Sequence, residues 1–151
     1  MRRFALYAFV ITLLWLGFVV AISFIEAPLK FKAPGVELKQ ALSIGRLVFN
    51  VLNRIEWICL IFSWLLMLRL KIVRTQGSVI LLSVITAILA FQTWGLFPTL
   101  DERAAQVMAN IFTDPTWHHQ AYIIAEVAKA LCLGVLAAAQ IQAFARAVLS
   151  E

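Results

Sequence analysis

Four long apolar runs, each bounded by charges or prolines, leave this chain little choice of fold. Phe4 to Ile25 carries no charge and ends at Glu26-Ala27-Pro28. The second run, Leu47 to Leu70, holds Asn50, Asn53, Arg54 and Glu56 in its first third and is uncharged from Trp57 to Leu68. The third, Ser78 to Leu100, has no charge and closes on Gly95-Leu96-Phe97-Pro98. The fourth runs from about Tyr122 to Ala145, with Glu126 and Lys129 near its start. About 20 apolar residues suffice to cross a hydrocarbon core of about 30 Å. A backbone in hydrocarbon must satisfy its own hydrogen bonds, so such runs are read as helices. The expected fold is all-α: one integral membrane four-helix bundle over residues 1–151, with spans at approximately 4–26, 47–70, 78–98 and 120–145.

Composition agrees. Of 151 residues, 63% are hydrophobic and only 14% charged, whereas soluble domains carry about a quarter charged residues. That excludes a disordered chain and a disulfide scaffold and argues against a soluble fold. The net charge of +5 does not indicate nucleic-acid binding. The basic residues form short clusters beside apolar runs, without a basic helix or an aromatic-interleaved patch. Cys59 and Cys132 each lie within an apolar run and read as buried free thiols. Met1-Arg2-Arg3 could begin a signal peptide, but the apolar run that follows is too long for one, and the first helix is expected to be retained.

Basic residues set the expected topology. Arg2, Arg3, Arg69, Lys71, Arg74 and Arg146 fall on one side and Lys30, Lys32, Lys39, Arg46 and Arg103 on the other. The tight Arg69-to-Arg74 loop favours cytoplasmic termini, and a bacterial cytoplasmic membrane is the expected location. Thr99-x-x-Glu102 matches a capping box that would start a short extramembrane helix between helices three and four. Asp114-Pro115 resembles the start of the fourth helix. The second helix is expected to begin near Val36, with a kink at Gly45.

At 1.5 Å per residue, Glu56 lies about 20 Å from Arg69, Gln92 about 21 Å from Ser78, and Lys129 about 26 Å from Arg146. Three helices therefore carry polar groups to one outer layer. His119, Tyr122, Glu126 and Lys129 recur at helical spacing and share a face. Asn50, Asn53, Arg54 and Trp57 form a second stripe, with Glu56 beside it. Isolated charges in hydrocarbon are costly, so these groups should face one another or trapped water. The simplest pairing is Arg54 with Glu126 and Glu56 with Lys129.

Two readings of the layer stay open: a ligand, ion or proton site opening outward, and a structural network that holds the helices together. The candidate ligand-binding residues are Arg54, Glu56, Gln92, His119, Tyr122, Glu126 and Lys129. In a lipid-headgroup site, Arg54 and Lys129 would hold the head while Trp57, Phe91 and Trp94 met the apolar part. Glu56, His119 and Glu126 carry metal-type donors, but the adjacent cations oppose a metal ion. Haem at His118 or His119 would lack a histidine on another helix. No cofactor is named by the sequence. The segment containing Glu26, Pro28 and Lys30 reads as either a lid or a stiff exit turn.

Trp15-Leu16-Gly17, the exit Glu26-Ala27-Pro28-Leu29-Lys30-Phe31 and Gly45-Arg46-Leu47-Val48-Phe49 carry a resemblance, joined by Gln92-x-Trp94 to Pro98 and the His119-to-Glu126 helix. With them the chain resembles small four-helix membrane proteins of unknown function, a group comprising bacterial proteins and the human cisplatin-resistance-associated transmembrane protein. The resemblance implies a compact helical membrane domain and names no reaction, substrate or cofactor.

No nucleophile elbow, Walker motif or dinucleotide fingerprint occurs, so an enzyme is not the favoured reading. The inner halves of the spans are aliphatic, which argues against a continuous ion pore. The expectation is a non-enzymatic membrane protein with an outward-facing polar pocket for an ion, lipid headgroup or small ligand, associated with transport. The alternative is an accessory or assembly subunit of a larger membrane complex. Expected partners are membrane lipids and a membrane protein or second copy of the chain.

Overall fold

A computed structural model describes residues 2–71, 73–111 and 117–149. They form five principal helices: α1 (Arg2–Val19), α2 (Leu38–Arg69), α3 (Gln76–Ala90), α4 (Phe97–Met108) and α5 (His118–Leu149). No strand occurs among the described residues. Four helical rods are long and apolar enough to cross a membrane: Leu6–Lys32, Leu38–Arg69, Gln76–Met108 and His118–Arg146. That is consistent with an integral membrane protein.

Two rods run past prolines at which the sequence had suggested an end. After α1 the chain enters a π-helix, Val20–Glu26, then a helical turn at Ala27–Leu29 and a 3-10 turn at Lys30–Lys32. After α3 a second π-helix, Phe91–Leu96, leads directly into α4. Each π segment ends two residues before a proline, Pro28 or Pro98. Proline has no N–H, and its ring crowds the carbonyl four residues earlier. The wider turn relieves that conflict. Ala27 donates its N–H to the Ile22 carbonyl, and Phe97 to the Gln92 carbonyl, each five residues back. The exit turn expected around Glu26 and Pro28 is thus a helical continuation. Likewise, the helix expected at Thr99 begins at Phe97. Thr99 lies inside α4, and no side-chain cap forms at its N-cap, Leu96.

Local chemistry sets the other ends. Glu37 and Gln40 form a capping box at the start of α2, with the Glu37 N–H donating to Gln40 Oε1 at 2.9 Å. The helix starts at Leu38 and runs unbroken through Gly45. Thr75 caps α3, its Oγ1 accepting from the Ser78 N–H at 3.1 Å. Asn110, at φ 60°, turns the chain out of α4, a conformation that Asn tolerates better than most residues. The expected Asp114-Pro115 start of the fourth helix lies outside the described residues.

α1 packs against α2 and α5, while α3 packs against α5 and, less extensively, α2. The main apolar core lies mid-bundle, where Leu60, Met67, Leu82, Ile85, Leu89, Leu133 and Leu136 are buried together with Trp15 and Val19 of α1, and a smaller cluster of Ala8, Leu70 and Val73 lies nearer the chain termini. Outside, Leu14, Ile58, Ile61, Phe62, Leu65 and Leu131 are exposed. Inside, Thr12, Glu56, Ser63, Ser78, Gln92, Glu126, Lys129 and Gln140 are buried. An apolar exterior around a partly polar interior suits hydrocarbon rather than water as the surrounding medium.

One interhelical device repeats. Thr86 and Thr93 each donate a hydroxyl to the carbonyl four residues earlier, Leu82 at 2.7 Å and Leu89 at 2.8 Å. Each hydroxyl oxygen then accepts an indole N–H from α2: Trp64 to Thr86 at 3.0 Å and Trp57 to Thr93 at 3.1 Å. Both threonines and both tryptophans are seven residues apart, so antiparallel helices repeat the same contact two turns along. Asn53 adds a second donor to Thr93 at 2.8 Å.

Candidate functional site

Above the apolar core, one buried polar layer draws on all four rods. Lys129 Nζ lies 2.5 Å from Glu56 Oε1 and 3.0 Å from Glu126 Oε1, and donates to Gln92 Oε1 at 2.9 Å. Gln92 Nε2 donates to Glu126 Oε1 at 3.1 Å, and Trp15 Nε1 to Glu56 Oε1 at 3.1 Å. Each position has a local cause. Lys129 follows Glu126 by three residues on α5, so both side chains leave the same face. Gln92 projects from the π segment before Pro98 and is 1% exposed. Ammonium groups have three donors, and all three of Lys129 find acceptors.

Both carboxylates receive their contacts on one oxygen: Glu56 accepts from Lys129 and Trp15 on Oε1, and Glu126 is arranged likewise. Its Oε1 takes the contacts from Lys129 and Gln92, while its buried Oε2 has no hydrogen-bond partner. Buried polar atoms normally find a partner; among the described residues this oxygen shares that lack with Ser23 Oγ, Ser63 Oγ, His118 Nδ1 and Gln140 Oε1.

Glu126 also lines a cavity of about 670 Å³. Ser23, Phe24 and Pro28 contribute from the extension of α1, Arg46 and Phe49 from α2, Phe97 and Asp101 from α4, and His119 and Tyr122 from α5. Phe49 and Tyr122 meet edge to face at 5.9 Å. Arg46 clamps Asp101 with two bonds, Nε to Oδ1 at 2.6 Å and Nη2 to Oδ2 at 2.7 Å, tying α2 to α4. Lys30 bonds Glu26 at 3.3 Å while its ammonium lies 5.0 Å from the Phe49 ring centre. Gly45 makes room for it: a Cβ there would lie 2.9 Å from Lys30 Nζ. Of the charged residues lining the cavity, Glu126 is the most deeply buried; the Lys30 side chain is largely covered, and Arg46, Asp101 and Arg103 are partly exposed.

The sequence-derived residues divide accordingly. Glu56, Gln92, Glu126 and Lys129 meet, with the Glu56–Lys129 pairing as expected. His119, Tyr122 and Glu126 line the cavity together, although His119 is exposed at its edge. Pro28 and Lys30 form cavity wall, and Glu26 anchors Lys30. Arg54 does not join: it is exposed, and Glu126 pairs with Lys129 instead. The reason is angular. Arg54 precedes Glu56 by two residues, about 200° around a helix, so burying one presents the other outward. The Asn50-to-Trp57 stripe likewise does not face Glu126. Asn53 and Trp57 bond Thr93, and Asn50 donates to the Arg46 carbonyl of its own helix.

The expected apolar partners also change. Trp57, Phe91 and Trp94 do not line the cavity; Phe91 and Trp94 are exposed, and Trp94 leans on Trp57 at 5.2 Å. Phe24, Phe31, Phe49 and Phe97 take that place. Trp15, Arg46 and Asp101 are the main residues that sequence reasoning missed. A tryptophan in an uncharged run was a usable signal, because its buried N–H needs an acceptor. Among the described residues, no three His, Cys, Asp or Glu side chains are grouped to hold a metal ion.

Comparison of the chain with protein-family models, curated proteins and solved structures returns no match.

Proposed function

We propose that this is a non-enzymatic integral membrane protein that binds a small amphiphilic ligand in the cavity floored by Glu126, as a receptor or transport-associated subunit. One observation carries the reading. A largely apolar cavity of about 670 Å³ is lined in part by Glu126, a buried residue with one carboxylate oxygen lacking a hydrogen-bond partner. Ligand sites are typically concave and mostly apolar, of roughly 300–1,000 Å³, with a few convergent polar groups. Ionisable groups within membrane helices concentrate at such sites.

The membrane setting belongs to the same proposal. Arg69, Lys71, Arg74 and Arg146 gather at the end of the bundle that also holds the termini, which favours a cytoplasmic placement of that end. The cavity then faces outward, α4 lies at the outer surface, and the Lys129 layer is an ion-paired network in the outer half of the bilayer. A bacterial cytoplasmic membrane and kinship with the small four-helix membrane proteins complete the reading. The rival function, an accessory subunit with a purely structural layer, draws support from the saturated contacts of Lys129.

Native mass spectrometry of gently solubilised protein tests the proposal, with Ala104→Phe adding bulk to the cavity wall. The expected result is a reproducible small-molecule adduct on the wild-type chain that Ala104→Phe loses while remaining folded. An adduct-free wild-type protein held in a stable complex with another membrane protein would move the conclusion to the accessory role.

A further inference from the structure

Resting on the cavity reading above, the geometry points to a lipophilic organic cation as the ligand: an ammonium or comparable positive centre against Glu126, with apolar substituents among the phenylalanines.

Charge counting comes first. The buried layer contains two carboxylates, Glu56 and Glu126, and one ammonium, Lys129. Both carboxylates spend one oxygen on that ammonium. The Trp15 bond falls on the same Glu56 oxygen, and Glu126 Oε2 is buried without a well-formed hydrogen bond, the Tyr122 hydroxyl lying beside its carboxylate. With both carboxylates ionised, the second negative charge has no buried counter-charge. An anionic headgroup would be repelled at this floor. A cation supplies the missing charge, and an N–H donor would also fill the missing hydrogen bond.

Two of the cavity's other cations are already engaged elsewhere. Lys30 is bonded to Glu26, and Arg46 is engaged by both oxygens of Asp101.

The walls give independent support. Aromatic faces attract cations through their quadrupoles, more strongly when water is excluded. The protein already uses this interaction here: Lys30 Nζ lies 5.0 Å from the Phe49 ring centre and 5.7 Å from that of Phe31. Phe24 and Phe97 offer further apolar surface to the same cavity. A small hydrated metal ion would leave most of this lining unused. A cation with bulky apolar substituents would use both floor and walls.

Two ions of matched shape and opposite charge make the test. Radiolabelled tetraphenylphosphonium would be bound to the full chain in lipid nanodiscs, with empty nanodiscs as background, and tetraphenylborate added as competitor. The proposal expects saturable phosphonium binding, little competition by the borate, and at least about a tenfold loss of affinity in Glu126→Gln, the scale of one desolvated charge contact. Glu126→Asp, which keeps the charge, should retain more binding than Glu126→Gln. Thermal unfolding would establish that both variants are folded. Phosphonium binding unchanged in Glu126→Gln, equal competition by the borate, or no phosphonium binding at all would overturn the cation assignment. Failure of the pocket itself reads differently: native spectra would then show no adduct that Ala104→Phe removes.

Discussion

Two levels of this bundle are built on different principles. Below the charged layer, Leu60, Leu82, Leu89, Leu133 and Leu136 fill most of the interior, and the Trp64–Thr86 contact supplies both a donor and an acceptor. Toward the other end, packing gives way to that layer and then to a cavity of about 670 Å³. Two prolines stand at that end, each preceded by a π-helix. Those wider turns carry Ser23 and Phe24 into the cavity wall and Gln92 into the layer. π-Helical turns inside α-helices often accompany functional sites. The contrast teaches that close packing holds the helices at one level, and that specific polar bonds hold them where space is kept open.

Substitutions can break or sharpen this contrast. Lys129→Met should have the largest effect, because it leaves two buried carboxylates facing each other without their shared cation. A loss of about 3–5 kcal/mol is expected for breaking a buried ion pair, read by reversible unfolding in mixed micelles. At the packed level, Leu89→Ala should cost about 2–5 kcal/mol by opening a void. The same assay should show no change in ligand binding for that variant.

Thr93→Val should come next, at about 1–3 kcal/mol, since the donors of Asn53 and Trp57 would both lose their acceptor. Thr86→Val orphans only Trp64, so its loss should be the smaller of the two; equal losses would remove the distinction between the levels. Arg46→Lys should have the smallest effect, below about 1 kcal/mol, because the pair it weakens is partly exposed. Its signature is geometric: Lys cannot reproduce the two-pronged clamp on Asp101. Faster hydrogen exchange in α4 would report the loosened contact.

Much of the fold was legible in the sequence, for a simple reason. Apolar runs of about 20 residues specify spanning helices almost regardless of detail, even where, as in the second and fourth, they carry a few charges. The i, i+3 and i+4 spacing likewise put His119, Tyr122, Glu126 and Lys129 on one face. What failed was the inference from proximity in sequence to proximity in space. Arg54 and Glu56 looked like one polar cluster, yet helix geometry sends them to opposite sides. Pro28 and Pro98 looked like terminators, because the π-helical adjustment that lets a rod pass a proline leaves no composition signal. The Arg46–Asp101 clamp and the aromatic walls depend on which helices are neighbours, and periodicity along one helix does not set that order.

The central claim is that Glu126 is held for a ligand while Lys129 is held for the fold. Thermal unfolding of Glu126→Gln beside Lys129→Met in the same nanodiscs tests it most directly. Gln keeps an acceptor where Glu126 Oε1 now meets Lys129 and Gln92, and it leaves one carboxylate, Glu56, for the one ammonium. The account predicts that Glu126→Gln is as stable as the wild type or more so, while Lys129→Met unfolds far earlier. Equal destabilisation of the two variants would contradict the account and make both residues parts of one structural lock.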